Sequence, residues 1–253
     1  MANKKQMEGD VYYPSEEVVA QARLKDWDAL AEKAHKDLQG FWADEARELE
    51  WFKPWDKVLD DSNKPFFKWF VGAKTNIVHN AIDRPLTTHR KNQLALIWES
   101  EDGKLDRSFS YYSMNREVSR FANIIKSMGI QKGERVTIYM GRIPEIVFAM
   151  LACAKIGAIH SVVFGGFSVD SLQGRIDDSQ SKLVITCDGS YQNGKIVELK
   201  NMVDEAVKKC PSVENMIVVK RTGQPVNMEA GRDHWYHDMC ALPIANGKCP
   251  TEV

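Results

Sequence analysis

From about residue 94 onward, the chain alternates between two hydrophobic periods. Short apolar runs predict strands at Ala95 to Glu99, around Phe109, and at Arg135 to Met140, Ile159 to Phe164, Leu183 to Thr186 and Met216 to Lys220. Gly103 falls in the turn between the first two, and Gly133 leads into the third. Between the runs, apolar residues recur at helical spacing. The clearest stripe is Val118, Phe121, Ala122, Ile125 and Met128, which Ser110 caps and Gly129 ends. Pro144 to Lys155 predicts a second helix, opened by proline at its first position and closed by Gly157. Val169 to Ser179 and Val197 to Lys209 predict two more, and Thr75 to Asp83 a shorter one stopped near Pro85. Strands alternating with helices at this spacing predict an α/β fold, with right-handed crossovers and a mainly parallel, doubly wound sheet.

The two ends of the chain follow other patterns. Residues 1–61 predict an irregular, helical N-terminal arm, and residues 62–253 the main domain. In the arm, Trp27, Leu30, Ala31, Ala34 and Leu38 fall at helical spacing, and a second short helix is predicted from Phe41 to Trp51. Rings are dense from Phe41 to Phe70 and are expected to pack onto the main domain, because a base-stacking site would come with a basic groove. From Thr222 to Val253 the periodicity fades and no closing element is predicted, so the chain reads as cut short.

The stretch Ile156 to Ser168 organises the rest. Ile159 to Phe164 is rich in β-branched residues, as expected of a strand covered on both faces. Gly165-Gly166 allows a tight turn and close approach of a ligand, and Ser168 is placed to cap the next helix. Together these residues make a cradle suited to an anion. The segment Phe164-Gly165-Gly166-Phe167-Ser168 is neither a Walker A loop nor a dinucleotide fingerprint. Two readings stay open for it: a plain strand-to-helix turn, or a ligand contact at the carboxyl edge of the sheet. The loop Asp188 to Gly194 follows the next strand and is expected on the same edge. Lys195, just beyond it, is either a solvated lysine or a point charge for a phosphate.

Composition narrows the function classes. The 253 residues carry a formal net charge of −1, which points to neither a nucleic-acid nor a membrane-surface partner. Five scattered cysteines without a Cys-x-x-Cys pair favour reduced thiols in a cytoplasmic setting. No apolar run is long enough to span a bilayer, and the first ten residues lack the apolar core of a secretory signal. His234, His237 and Cys240 have no standard zinc spacing and read as packing and surface residues, so no metal site is expected. His160, inside a strand, reads as a satisfied core histidine, and no catalytic triad can be assigned by spacing.

Several blocks taken together resemble one family. They are Trp69 to Asn76, Asn80 to Arg84, Arg120 to Asn123, Gly133 to Met140, Pro144-Glu145, Ala149 to Ser168, Gly174 to Ile176 and Leu183 to Thr186. In order and over nearly the whole chain, they are similar to the N-terminal part of the acetyl-CoA synthetase family of AMP-forming, adenylate-forming enzymes. The resemblance implies that acetate and ATP–Mg form acetyl-adenylate and pyrophosphate, after which the CoA thiol displaces AMP. It implies small-molecule partners, namely CoA, ATP and acetate, with Mg2+ accompanying ATP. It places Phe164, Gly165 and Gly166 at the CoA nucleotide site. It also places Gln192 and Lys195 where the family usually carries two arginines for the CoA 3′-phosphate. One charge is lost there, and the other has lost its planar fork. The catalytic motifs of the family lie beyond Val253, so none of these residues is expected to be catalytic and this polypeptide alone is expected to be inactive. Two alternatives accompany this reading: a ligase for propionate or another short acid, and a stand-alone nucleotide- or CoA-binding module without catalysis.

Overall fold

The computed structural model describes residues 7–8 and 11–253. The chain forms two compact units, Met1–Ala73 and Lys74–Val253.

In the first unit, β1 (Met7–Glu8) pairs antiparallel with β2 (Val11–Tyr12). Three helices follow, α1 (Glu16–Gln21), α2 (Trp27–Lys36) and α3 (Leu38–Ala46). Asp37 both ends α2 and caps α3, its carboxylate accepting from the Gly40 amide at 2.8 Å. Leu38 therefore belongs to α3 rather than to the stripe that begins at Trp27. The hairpin of β3 (Lys57–Asp60) and β4 (Lys68–Val71) straddles residue 61, which is why the unit runs on to Ala73. The rings of this unit cluster with one another. Trp51, Trp55 and Phe70 meet with centroids 5.2 to 5.4 Å apart, and Trp42 meets Trp69 at 6.2 Å.

The second unit opens with helical turns at His79–Asp83, Arg84–Thr87 and His89–Asn92 in place of one regular helix ending at Asp83. A hairpin of β5 (Leu94–Glu99) and β6 (Asp106–Ser110) leads into α4 (Tyr111–Ser127). The Ser110 hydroxyl accepts from the Ser113 amide, and Val118, Phe121, Ala122 and Ile125 are buried as the stripe requires. Full burial of such side chains is worth roughly 1.5–3 kcal/mol each.

The core is a five-stranded sheet of β7 (Arg135–Met140), β8 (Ile159–Phe164), β9 (Leu183–Cys187), β12 (Asn215–Val219) and β13 (Asp233–Trp235). Between β9 and β12 lies a small hairpin of β10 (Ser190–Gln192) and β11 (Lys195–Val197). The helices are α5 (Pro144–Lys155), α6 (Val169–Ser179), α7 (Leu199–Val207) and α8 (Tyr236–Ala241). The strand order is β13-β12-β9-β7-β8, and every neighbouring pair is parallel. Helix α5 packs with α4, and α6 packs with α7, which makes the sheet doubly wound as its alternating pattern predicts.

Four expectations need correction. Strand β8 is not covered on both faces: among the described residues it pairs only with β7, at the sheet edge, and Ile159, Val162 and Phe164 are exposed. An apolar β-branched run identifies a strand but not its place in the order. His160 is accordingly half-buried on this edge. Its Nδ1 has no partner among the described residues, and burial holds its pKa below the ordinary value. The segment Asp188 to Gly194 is mostly a hairpin, because Asn193 and Gly194 both take positive φ (51° and 71°) and form its two-residue turn. Finally, the stretch after Thr222 does contain regular elements, although none is assigned to its last residues, 248–253. Strand β13 extends the sheet, and α8 buries Tyr236 against Phe121 with ring centroids 4.4 Å apart.

Buried charges tie these elements together. Lys200 on α7 is fully buried and meets Asp204 at 2.6 Å and Asp233 on β13 at 2.9 Å. Arg232 reaches the same two carboxylates. Lys155, at the end of α5, bonds Asp83 at 3.0 Å and Thr251 at 2.9 Å, joining the first helical turn to the tail.

Candidate functional site

Strand order 2-1-3-4-5, counted along the chain, has its topological switch point between the first and third strands, here β7 and β9. A cleft of about 680 Å³ opens there, beyond the carboxyl ends of the strands. Four of the five strand ends contribute to it: Met140 and Gly141 at the end of β7, Phe164 and Gly165 at the end of β8, Ser190 after β9 and Arg221 after β12. Trp98 on β5 and the hairpin residues Tyr191, Gln192 and Asn193 close its sides.

The Gly-Gly turn is held from below. Tyr139, buried on β7, donates its hydroxyl to the Phe167 carbonyl at 2.9 Å, with the Gly165 carbonyl 3.4 Å away. Neither Gly165 nor Gly166 takes a positive φ; what they offer is space, tight against backbone at Gly165 and against the movable Phe164 ring at Gly166. A Cβ on Gly165 would lie 3.3 Å from the Met140 carbonyl oxygen, and one on Gly166 would lie 2.6 Å from the Phe164 ring. The Phe164 ring is left half-exposed, edge-on to Phe167 at 5.9 Å. Ser168 caps α6 as predicted, accepting from the Ser171 amide. Tyr139→Phe is expected to cost about 1 kcal/mol of stability, the usual net worth of one such bond. Chemical denaturation of the variant checks this, and a midpoint unchanged from wild type would count against the anchoring role.

Opposite the turn, Asp188 is fully buried at the end of β9. Its carboxylate accepts from the amides of Gly189 (2.8 Å), Arg221 (2.7 Å), Thr222 (3.0 Å) and Gly223 (2.6 Å). This nest of amides fixes the turn after β12 and so sets where Arg221 stands. The Arg221 guanidinium lies 5.1 Å from the Trp98 ring and 5.0 Å from the Tyr191 ring. The Trp98 indole donates in turn to the Arg142 carbonyl at 2.7 Å. Glu101 accepts from the Gly194 amide at 3.1 Å and holds the hairpin against β5.

The fold thus gathers Phe164, Gly165 and Gln192 around one cleft. Gly166 stands just behind the lining, and Lys195 pairs with Gln192 across the hairpin, exposed and outside the lining. Sequence reasoning missed Trp98, Arg142, Tyr191 and Arg221. A usable signal was present for Arg221, since it follows a predicted apolar strand just as Phe164-Gly165 ends another. The His234, His237 and Cys240 series does not converge. His237 is exposed beside Trp235 and Asp238, and no metal-ligating group of three appears among the described residues. Burial pushes the thiols of Cys153 and Cys187 up to about 12, so neither is an available nucleophile.

Residues 84–246 match the family described as AMP-binding enzyme. The chain belongs to that family. Every residue lining the cleft, from Trp98 to Arg221, falls inside the AMP-binding match. Residues 27–81 match a second description, acetyl-coenzyme A synthetase N-terminus. The chain is 50% identical over 216 residues to an acetyl-coenzyme A synthetase of Pyrobaculum arsenaticum, covering 81% of this chain and 32% of that relative. It is 45% identical over 250 residues to one from Wolinella succinogenes, covering 96% and 38%. The chain therefore spans about a third of the length of the curated relatives it matches. Among solved structures, acetoacetyl-CoA synthetase from Streptomyces lividans superposes with a TM-score of 0.82 at 22% identity, over 94% of this chain and 38% of that one. At that identity the likeness concerns the fold. Among the described residues, no helix is long and apolar enough to cross a membrane.

Proposed function

We propose that this chain is the N-terminal part of an ATP-dependent acetate–CoA ligase, and that the cleft at the switch point receives the nucleotide end of CoA. In the full reaction, acetate attacks the α-phosphorus of ATP to give acetyl-adenylate and pyrophosphate; the CoA thiol then displaces AMP. Mg2+ accompanies ATP in that scheme. The observation that carries the reading is the meeting of Phe164, Gly165 and Gln192 at one cleft in a chain whose relatives carry the name acetyl-coenzyme A synthetase. The exposed Phe164 ring offers a face for a base to stack on. The two strand-end turns leave room for a phosphate-bearing ligand in the crevice.

Calorimetry of the 253-residue chain with CoA tests the binding part. Saturable heat is expected, and the affinity it reports should fall when Phe164 is replaced by alanine, by about 1–3 kcal/mol of binding free energy if a base stacks there. Absence of heat would remove the CoA assignment. The reading also expects no acetate- and CoA-dependent AMP release from this chain alone, which spans only 32% to 38% of those two relatives. Turnover by the purified chain would contradict that.

A further inference from the structure

The cleft holds two cationic side chains, Arg142 and Arg221, and two acidic ones, Glu99 and Glu101. Glu101 is engaged by the Gly194 amide. Among the described residues, neither guanidinium has a carboxylate within ion-pair distance or a carbonyl accepting from it. Every charged hydrogen bond at Asp188 comes from backbone amides, the Arg221 amide included, and none from its side chain. An unpaired arginine is common on an open surface. Arg221 is half-buried, and its position is determined at both ends: the Asp188 nest fixes its backbone, and Trp98 and Tyr191 flank its guanidinium. Trp98 and Tyr191 lie 5.1 and 5.0 Å from the guanidinium carbon and their rings take up none of its N–H donors in a conventional hydrogen bond, which leaves the planar fork for a ligand; that fork matches a phosphate or a carboxylate in a bidentate way.

We infer that Arg221, not Lys195, is the phosphate-binding residue of this cleft, with Arg142 as the other positive group lining it. The inference rests on the proposed CoA reading and deepens it. The nucleotide end of CoA carries a pyrophosphate and a 3′-phosphate and no carboxylate, so phosphate is the group the fork meets. Lys195 lies outside the cleft lining on the far strand of the hairpin. Gln192 lines the cleft but is neutral. The charge at this edge of the sheet therefore comes from the turn after β12 and from the residue after Gly141, not from the hairpin. Trp98 and Tyr191 act on the ligand through Arg221 and are positioning residues. They hold the guanidinium in one orientation, so less rotamer freedom is lost on binding.

The test is calorimetry of the 253-residue chain and its Arg221→Gln, Arg221→Lys, Arg142→Gln and Lys195→Gln variants, each titrated with CoA and with 3′-dephospho-CoA. Arg221→Gln is expected to weaken CoA about tenfold or more, as loss of a charge-assisted bond implies. It should also flatten the salt dependence of binding. Arg221→Lys keeps the charge but not the fork and should also bind more weakly than wild type; it serves as the readout if Arg221→Gln fails to fold. Arg142→Gln should cost less than Arg221→Gln, and Lys195→Gln should leave affinity within about twofold, since an exposed lysine outside the cleft contributes little. A loss confined to CoA assigns Arg221 to the 3′-phosphate, and an equal loss for both ligands assigns it to the pyrophosphate; either result supports the inference. Wild type binding CoA while folded Arg221 variants bind it equally well would overturn the inference alone. Wild type binding neither ligand would overturn the CoA reading and this inference with it.

Discussion

Replacing Asp188 by asparagine is expected to lower the stability of the second unit by about 3 kcal/mol and to weaken any ligand held by the turn after β12. The carboxylate is fully buried and receives four backbone amides from two segments, Gly189 and the run Arg221 to Gly223. Hydrogen bonds to a charged acceptor contribute about 1.5–3 kcal/mol each, and an amide left without a partner costs about 1–3 kcal/mol. Asparagine keeps one acceptor oxygen and turns two donors toward amides that are themselves donors. Since Arg221 starts that turn, the damage extends to the cleft. Thermal unfolding followed by circular dichroism measures the first effect. For a unit of this size, about 3 kcal/mol corresponds to roughly 6–12 °C in Tm. A variant melting within about 2 °C of wild type would mean that the amides find other partners, and the nest would lose its assigned role.

The second large effect is expected at Lys200. Its ammonium is fully buried between Asp204 and Asp233, and Asp233 is itself fully buried. Arg232 bridges the same two carboxylates from the β13 side. Lys200→Met removes one cation and leaves the remaining charges out of balance in a dry site. Breaking a buried pair from one side costs about 3–5 kcal/mol, and because Arg232 remains, the lower end is expected. The pH dependence follows from Asp233. Burial pushes its carboxyl upward, but the hydrogen bonds from Arg232, the Glu229 amide and Lys200 outweigh burial and hold its pKa below the usual carboxylate value. A folded-state pKa below the unfolded one means that its stabilisation is present above the unfolded value, about 3.9, and is lost as pH falls through the folded value. Without Lys200 that depression shrinks. The gap in stability between wild type and Lys200→Met should therefore be widest near neutral pH and narrow below about pH 4. Urea denaturation at pH 7 and at pH 3.5 checks it; a gap that stays constant or widens in acid would show that Asp233 is not the group responsible.

Local signals determined the elements. The bounds of β7, α5, β8 and α6 coincide with the stretches read from periodicity, proline at the helix start and a serine cap. These features act between neighbours in the chain, so the chain alone carries them. The alternation of strand and helix likewise predicted the doubly wound parallel sheet. The resemblance of the blocks from Trp69 to Thr186 pointed to the family to which the chain belongs. Within the site, the strand-to-helix turn at Phe164-Gly165 and the segment after β9 could be placed on one edge of the sheet from the chain alone, whereas Gln192 was singled out only by the family resemblance.

Tertiary structure decided what depends on pairing between distant segments. A three-residue strand such as β13 has too little pattern of its own; it exists because the edge of β12 offers a parallel partner and Lys200 waits for Asp233. The same logic put the apolar strand β8 at the sheet edge, since order in a sheet is set by crossovers and not by hydrophobicity. It also turned Asp188 from an ordinary loop residue into a buried acceptor, by bringing the turn after β12 alongside the end of β9. Above all it decided which cations face the cleft. Lys195 lies close to Gln192 in the chain yet stands outside the lining. Arg221, just past the end of another strand, is drawn in beside Trp98 and Tyr191, because parallel strands align their carboxyl ends whatever the separation between them in the chain.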